Sequence, residues 1–374
     1  MPAIFFKCYA TMKVLPNIKY LHIIRGVAAL LVVVFHAKFV FWVGGSIYNA
    51  QVGLHSAGDY ILFSLDMLSS CGKECVVVFF ILSAFVIKHS FSNHHYSWGN
   101  FYKLRFIRIY WPFLCSVIFS IVVLVICVKY INPHIYTPDF REYNTRIFNA
   151  YNELSFRQVF ETVFFIDKWK FAGANFAYWS LSHELVFYIL FPLYNKLNKW
   201  WMLLAAGAFF GTMFILTGYD IFYYQIFFVA GLMLYKYFFN HSNAPLIKNK
   251  AMYIVLLIIF FVADNISNKM ISEQFSDFAT LVYSFFIFDY ILYFIKRKNK
   301  WLMKLGDISY SLYLNHLPLI MAIYTLFTLY TGKLVFYSRL PYYSAIPIVV
   351  LLVIPLYLLM EKPSIVFLKK MRKS

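Results

Sequence analysis

The sequence predicts an all-α polytopic membrane protein of about ten transmembrane helices, with both termini cytoplasmic. Three observations carry that expectation. The 374 residues are 62% hydrophobic and only 13% charged, whereas a soluble globular chain carries roughly 25% charged residues. Apolar runs long enough to cross a hydrocarbon core recur along the whole chain. The net charge of +18 is spread over short basic runs between those apolar stretches, which is how membrane topology is written. That spacing argues against a nucleic-acid partner and for the lipid bilayer.

The elements follow in order. Residues 1–20 form a cytoplasmic N-terminal segment with Lys7, Lys13 and Lys19 and no small-residue cleavage site, so an anchor is expected rather than a removed signal peptide. Spans are expected at 21–43, 74–90, 109–129, 177–195, 200–217, 221–239, 251–264, 276–295, 305–330 and 341–359. An external loop occupies about 130–176, is rich in aromatic and mixed-charge residues, and is expected to be a partly folded lid or acceptor-binding flap. Residues 21–368 make a single transmembrane domain, and 369–374 are a basic cytoplasmic tail. With the N-terminus inside, 22 Lys and Arg fall on the cytoplasmic side and ten outside. The five cysteines, Cys8, Cys71, Cys75, Cys115 and Cys127, form no metal-ligand pattern, and no metal is expected.

The polar residues inside apolar runs carry the chemistry. Ionisable side chains in a span are costly, and their default reading is functional. Arg25 and His36 are eleven residues apart, 20° past three full turns, so they share one face of the first helix about 16 Å apart along its axis. Ser83 sits mid-span beside Ala84, a small pair that allows close helix packing. Covalent acylation of Ser83 is the sharper alternative, but no base is near it in sequence. Arg105 and Arg108, three apart, share a helix face, and two guanidinium forks at that spacing suit phosphate. Glu184 lies about as deep from the outer end of the fourth span as His36 does in the first, so a His36–Glu184 contact is expected. Asp289 is another buried acid. In the ninth span Ser309, Tyr310, Tyr313 and His316 stripe one inner half, as residues lining a cavity or a protein interface do.

In this order these stretches resemble the acyltransferase family 3 membrane acyltransferases, which include enzymes that O-acetylate bacterial surface polysaccharides. The likeness runs from about 20 to 368. Arg25 and His36 resemble the family's Arg-x10-His motif, and Phe79, Phe80, Ser83 and Phe85 its FFxxSGF motif, with Ala84 in place of glycine, a change that loosens packing. Arg105 and Arg108 resemble Arg-x-x-Arg. Trp179, Ser180, Leu181 and Glu184 resemble WSLxxE, with His183 as an unusual neighbour that either tunes Glu184 or is idle. Gly306, Ser309, Tyr310, Tyr313, Leu314 and His316 resemble GxxSYxxYLxH, and Glu361 and Pro363 resemble ExP.

The resemblance implies an O-acyltransferase of a bacterial plasma (inner) membrane. Its donor is acetyl-CoA or another acyl-CoA, and its acceptor a sugar hydroxyl of a surface polysaccharide or lipid-linked precursor. On this reading His36 is the general base, Glu184 orients it, Arg25 assists, and Arg105, Arg108 and Arg25 bind the donor. Ser83, Ser309, Tyr310 and His316 line the pocket. No hydrolase-like domain follows the membrane region, so the acceptor is expected to be handled by that region or by polysaccharide-assembly partners. Two other classes fit parts of the pattern. A transporter of lipid-linked sugar or protons shares the buried charges, but no inverted repeat is visible. A non-catalytic assembly partner tolerates loss of Arg25 and His36.

Overall fold

The computed structural model describes residues 15, 17–43, 56–94, 97–131, 136, 142–166, 170–241, 244–270, 272–297 and 299–371. Cys8, Lys7, Lys13, Asp139, Arg141, Asp167, Lys168, Lys298, Arg372 and Lys373 lie outside the described residues. Among the described residues every regular element is a helix. In chain order these are α1 (Leu21–Phe41), α2 (Ala57–Leu68), α3 (Gly72–His94), α4 (Trp98–Arg105), α5 (Trp111–Val125), α6 (Glu142–Asn152), α7 (Phe156–Val163), α8 (Trp179–Lys196), α9 (Trp200–Thr217), α10 (Asp220–Asn240), α11 (Lys250–Met270), α12 (Glu273–Phe294), α13 (Lys300–Thr331), α14 (Leu340–Leu356) and α15 (Lys362–Met371).

The chain is an all-α, multi-pass membrane protein. Eight helical segments among the described residues are long and apolar enough to cross a bilayer. The other two expected spans also form helices, α8 and α11. His183, Glu184 and Lys196 interrupt the apolar run of α8. Sequence reading missed α2, although its start is written locally. Ser56 and Asp59 form a capping box, the Ser56 hydroxyl accepting from the Asp59 N–H. Within 130–176, α6 and α7 form.

Burial separates the centre of the bundle from its rim. The most apolar stretch of α13 is 72% buried, and that of α9 only 11%. α13 packs along α1, and the two backbones touch. A Cβ on Gly26 would stand 2.6 Å from the Gly306 nitrogen, and one on Gly306 would stand 2.5 Å from the His22 carbonyl oxygen. Small residues let helices approach this closely where lipid gives no hydrophobic drive to pack. The pair His22 Nε2–Asp307 Oδ1, at 2.9 Å, fastens the same crossing. Ala84 does not loosen its site. The glycine there is Gly231 of α10, where a Cβ would meet the Ile81 carbonyl oxygen at 2.3 Å and Ala84 Cβ at 2.8 Å.

Several buried charges are structural staples. Asp289 accepts from the Tyr253 hydroxyl and from the Leu246 N–H at 3.1 Å, tying the α10–α11 connection and α11 to α12. Asp66 accepts from Arg339 Nε at 2.5 Å and from the Tyr342 hydroxyl. Lys38 donates to the Asp66 carbonyl and to Ser70 Oγ, the latter at 2.5 Å. Cys71 and Cys75 are buried thiols with sulfurs 4.0 Å apart.

Candidate active site

Charged and hydroxyl groups from separate helices meet at a cavity of about 130 Å³. Arg25 of α1, Ser83 of α3, Glu184 and Tyr188 of α8, and Ser309, Tyr310 and Tyr313 of α13 line it, together with Arg105 and Arg108. Phe106–Tyr110, which holds Arg108, winds as a π-helix between α4 and α5. So does Tyr357–Glu361, between α14 and α15. The wider turns face each other through one ion pair, Arg108 Nη1 to Glu361 Oε1 at 2.7 Å. π-turns inside helices are a frequent mark of functional sites.

Glu361 is fully buried. Its second oxygen accepts from the Ser311 N–H at 3.0 Å and hydroxyl at 2.6 Å. The carboxylate is thus hydrogen-bonded through one oxygen and ion-paired through the other, which makes no hydrogen bond among the described residues. Glu184 Oε1 accepts from Ser83 Oγ at 2.9 Å and from the Tyr188 hydroxyl. Arg105 lies over the Phe101 ring, 5.6 Å from its centroid. Arg25 feels the charges of Arg108, Glu361 and Glu184 but makes no hydrogen bond or close ion pair with a described residue. Three guanidinium groups thus converge on one small chamber whose two nearby carboxylates are already engaged.

His36 lines a different cavity, of about 560 Å³. The first helix is unbroken from Leu21 to Phe41, so the eleven residues from Arg25 carry His36 about 16 Å along its axis. Lys73, Glu142, Arg146, Trp179, Asp220 and Tyr223 line this second chamber with it. Val76 and Tyr313 line both chambers and so form the wall between them. The Tyr313 hydroxyl is held by Ser180 Oγ at 2.6 Å and donates to the Ala177 carbonyl at 3.0 Å.

The structure brings His36 to His316, not to Glu184. The two imidazole centroids are 5.0 Å apart, with the rings tilted by 34°. His316 is fully buried and uses Nδ1 to reach the Tyr313 carbonyl at 2.7 Å. His316 Nε2 and His36 Nδ1 are buried and have no hydrogen-bond partner among the described residues. The expected His36–Glu184 contact fails for a reason of depth. The turns at Ala172–Ala174 and Phe176–Tyr178 carry the chain inward before α8 begins. Phe176 already stands beside His36, at 5.3 Å between centroids. Glu184, eight residues on, lies about 12 Å deeper at helical rise. His183 points away from Glu184, as consecutive helical residues do, and packs against Trp179 and Tyr224 with ring centroids 5.6 and 4.6 Å away.

Arg25, Ser83, Arg105, Arg108, Glu184, Ser309 and Tyr310 therefore share one chamber, and His36 with His316 marks the other. Sequence reading missed two members. Tyr188 follows Glu184 by four residues, the spacing that puts two side chains on one helix face. Glu361 was legible as the end of the last span and as the acid of the ExP motif, but not as a member of this site. Its pairing with Arg108 joins residues far apart in the chain. No group of three or more His, Cys, Asp or Glu among the described residues is placed to hold a metal ion.

This geometry defines a membrane-embedded protein with a cationic chamber and an imidazole-bearing chamber separated by one layer of side chains. The family model described as an acyltransferase domain matches residues 18–360, and the chain belongs to that acyltransferase 3 family: it is a membrane acyltransferase. No curated protein and no solved structure gives a match.

Proposed function

We propose that this protein transfers an acyl group, acetyl being the expected one, from cytoplasmic acyl-CoA to a hydroxyl of a surface glycan or its lipid-linked precursor, in a bacterial inner membrane. One observation carries the reading. A chamber with three arginines adjoins, through Tyr313 and Val76, a chamber with His36 backed by His316. Arg105, Arg108 and Arg25 hold the phosphates of the donor, since guanidinium forks match phosphate oxygens in pairs. The flexible arm of the donor passes Tyr313 and presents the thioester to the second chamber.

The proton path follows from the ring contacts. His316 donates from Nδ1 to the Tyr313 carbonyl, which leaves its Nε2 as an acceptor. That nitrogen and His36 Nδ1, each without a hydrogen-bond partner among the described residues, stand on neighbouring rings, and a bond closed from His36 Nδ1–H to it when the acceptor binds leaves the lone pair of His36 on Nε2. His36 takes the proton of the acceptor hydroxyl as its oxygen attacks the thioester carbonyl. The O–C bond forms, the C–S bond breaks, and the proton leaves on the thiol of CoA. Glu184 is not part of this path and holds Ser83 and Tyr188 in the arginine chamber.

The test is expression in a strain lacking the protein, with mass spectra of surface glycans beside His36→Ala and an empty vector. The expected result is an acyl mass increment that needs the intact protein and disappears with His36→Ala. An increment that survives in His36→Ala discards the proton path. No increment in any glycan fraction discards the acceptor class.

A second reading has its own observation. Ser83 donates to the Glu184 carboxylate, so tertiary structure supplies the base that sequence placed nowhere near it. Ser83 Oγ then takes the acyl group first, breaking the C–S bond and passing its proton to Glu184. Ser83→Ala separates the two readings, as set out in the Discussion.

A further inference from the structure

We infer that the cavity bounded by α6, α7 and the segment from Lys170 to Phe176 is a subsite for a second sugar ring of the acceptor, beside the ring that receives the acyl group. This rests on the glycan-acceptor reading above. The cavity has a volume of about 280 Å³, room for one hexose ring, and is lined by Arg146, Asn149, Glu153, Gln158, Lys170 and Phe176 among others. Arg146 and Phe176 also line the histidine chamber, so the two spaces are neighbours that share these side chains. Phe176 is the residue that stands against His36.

The lining selects a neutral polyol over an anion. Arg146 is paired with Glu142 at 2.5 Å, and Lys170 with Glu153 at 3.1 Å, so each cation is matched by its own carboxylate. What remains is an amide-rich rim and an aromatic floor. Gln158 is 6% exposed, and its Oε1 has no hydrogen-bond partner among the described residues. A buried amide oxygen of this kind is rare in a folded protein unless something outside the chain donates to it. Asn149 adds a second amide on the exposed side of the same cavity. Phe176 presents a ring face, covered on one side by Arg146 at 5.2 Å. A pyranose has both complements: hydroxyl groups that donate and accept, and an apolar C–H face that stacks on an aromatic ring.

The position of Gln158 is held by the backbone around it. The Ser155 hydroxyl caps α7 by accepting from the Gln158 N–H at 3.2 Å. Thr162 donates to the Gln158 carbonyl at 2.8 Å and accepts from the Ala172 N–H at 2.8 Å, fixing α7 against the segment that leads to Phe176. The side-chain amide is thus presented from a rigid support, with its backbone groups already used.

The test uses the full-length protein in detergent micelles with labelled acetyl-CoA. The probes are fragments of the host's own surface polysaccharide, freed of esters by mild base and sized to one, two and three sugar units. The expected result is a KM at least about fivefold lower for two units than for one, with little further gain at three. Gln158→Leu is expected to remove that length advantage. Asn149→Ala, an exposed substitution that leaves the fold intact, is expected to reduce it. Equal KM values for one and two units overturn the subsite, as does a length advantage that survives both substitutions. If fragments of no size are acylated, the glycan-acceptor reading fails and the subsite with it.

Discussion

The arginine chamber and the histidine chamber differ in size and in the kind of charged or titratable group each gathers. The first is about 130 Å³. Its carboxylates are engaged by Ser83, Tyr188, Arg108 and Ser311. The second is about 560 Å³, and the imidazoles at its wall leave two buried nitrogens unpartnered among the described residues. A small chamber on which three guanidinium groups converge suits a fixed anionic group that does not change between turnovers. A wide chamber with an unsatisfied base suits a varied partner that completes the hydrogen bonding when it arrives. The comparison teaches that guanidinium and imidazole groups are set at two depths of one helix, with α1 as the ruler, and the proposed donor binding and proton transfer divide along the same line.

The largest expected effect breaks that division if it fails to appear. His36→Ala is expected to lower kcat by about 10²–10⁴-fold, the usual worth of a general base, with the donor KM unchanged. A vesicle assay with labelled acyl-CoA measures both, and a raised donor KM would merge the two chambers into one function. Arg108→Ala comes next and acts on stability as well as on donor KM. It leaves Glu361 buried without its cation, which costs about 3 kcal/mol, the lower end of the range for a broken buried pair because Arg108 is partly exposed. A lowered midpoint of thermal unfolding in detergent checks it, and Glu361→Gln in the same chain is expected to recover part of the loss.

Arg105→Ala sharpens the contrast between the two arginines. It lacks a buried carboxylate to strand, so the expected change is about tenfold in donor KM with kcat held within a factor of about three. No change in KM would reduce Arg105 to a topology anchor. His316→Gln is expected to cost about tenfold in kcat and to shift the acidic limb of its pH profile. A merely structural His316 would move stability and leave that limb in place. The smallest effect belongs to Ser83→Ala, expected within about threefold of wild type if transfer is direct. A complete loss of turnover with intact folding would favour the acyl-serine route instead.

The helices, the apolar faces and the polar residues within them were legible because they are local properties. Hydropathy is summed over about twenty residues, and the 100° step of a helix places Arg25 and His36 on one face with no knowledge of neighbours. The capping box of Ser56 and Asp59 was equally local, although it was overlooked. The partner of His36 was not local. Depth in the bundle depends on where a helix begins, and two short turns before Trp179 moved Glu184 about 12 Å past the imidazole. The 5.0 Å approach of His316 comes instead from α13, which packs along α1 and touches its backbone at Gly26 and Gly306.

By itself, then, the sequence determined a multi-pass helical protein with cations, imidazoles and acids set into its spans, since each of those features is decided within a few turns of chain. Tertiary structure alone decided which of them meet. It joined Arg108 to Glu361 through two facing π-turns, gave Glu184 to Ser83, set Tyr313 as the wall between two chambers, and buried the amide of Gln158 beside the second. Those pairings are set by helix ends, crossing distances and register between segments far apart in the chain. Local periodicity carries no record of any of them.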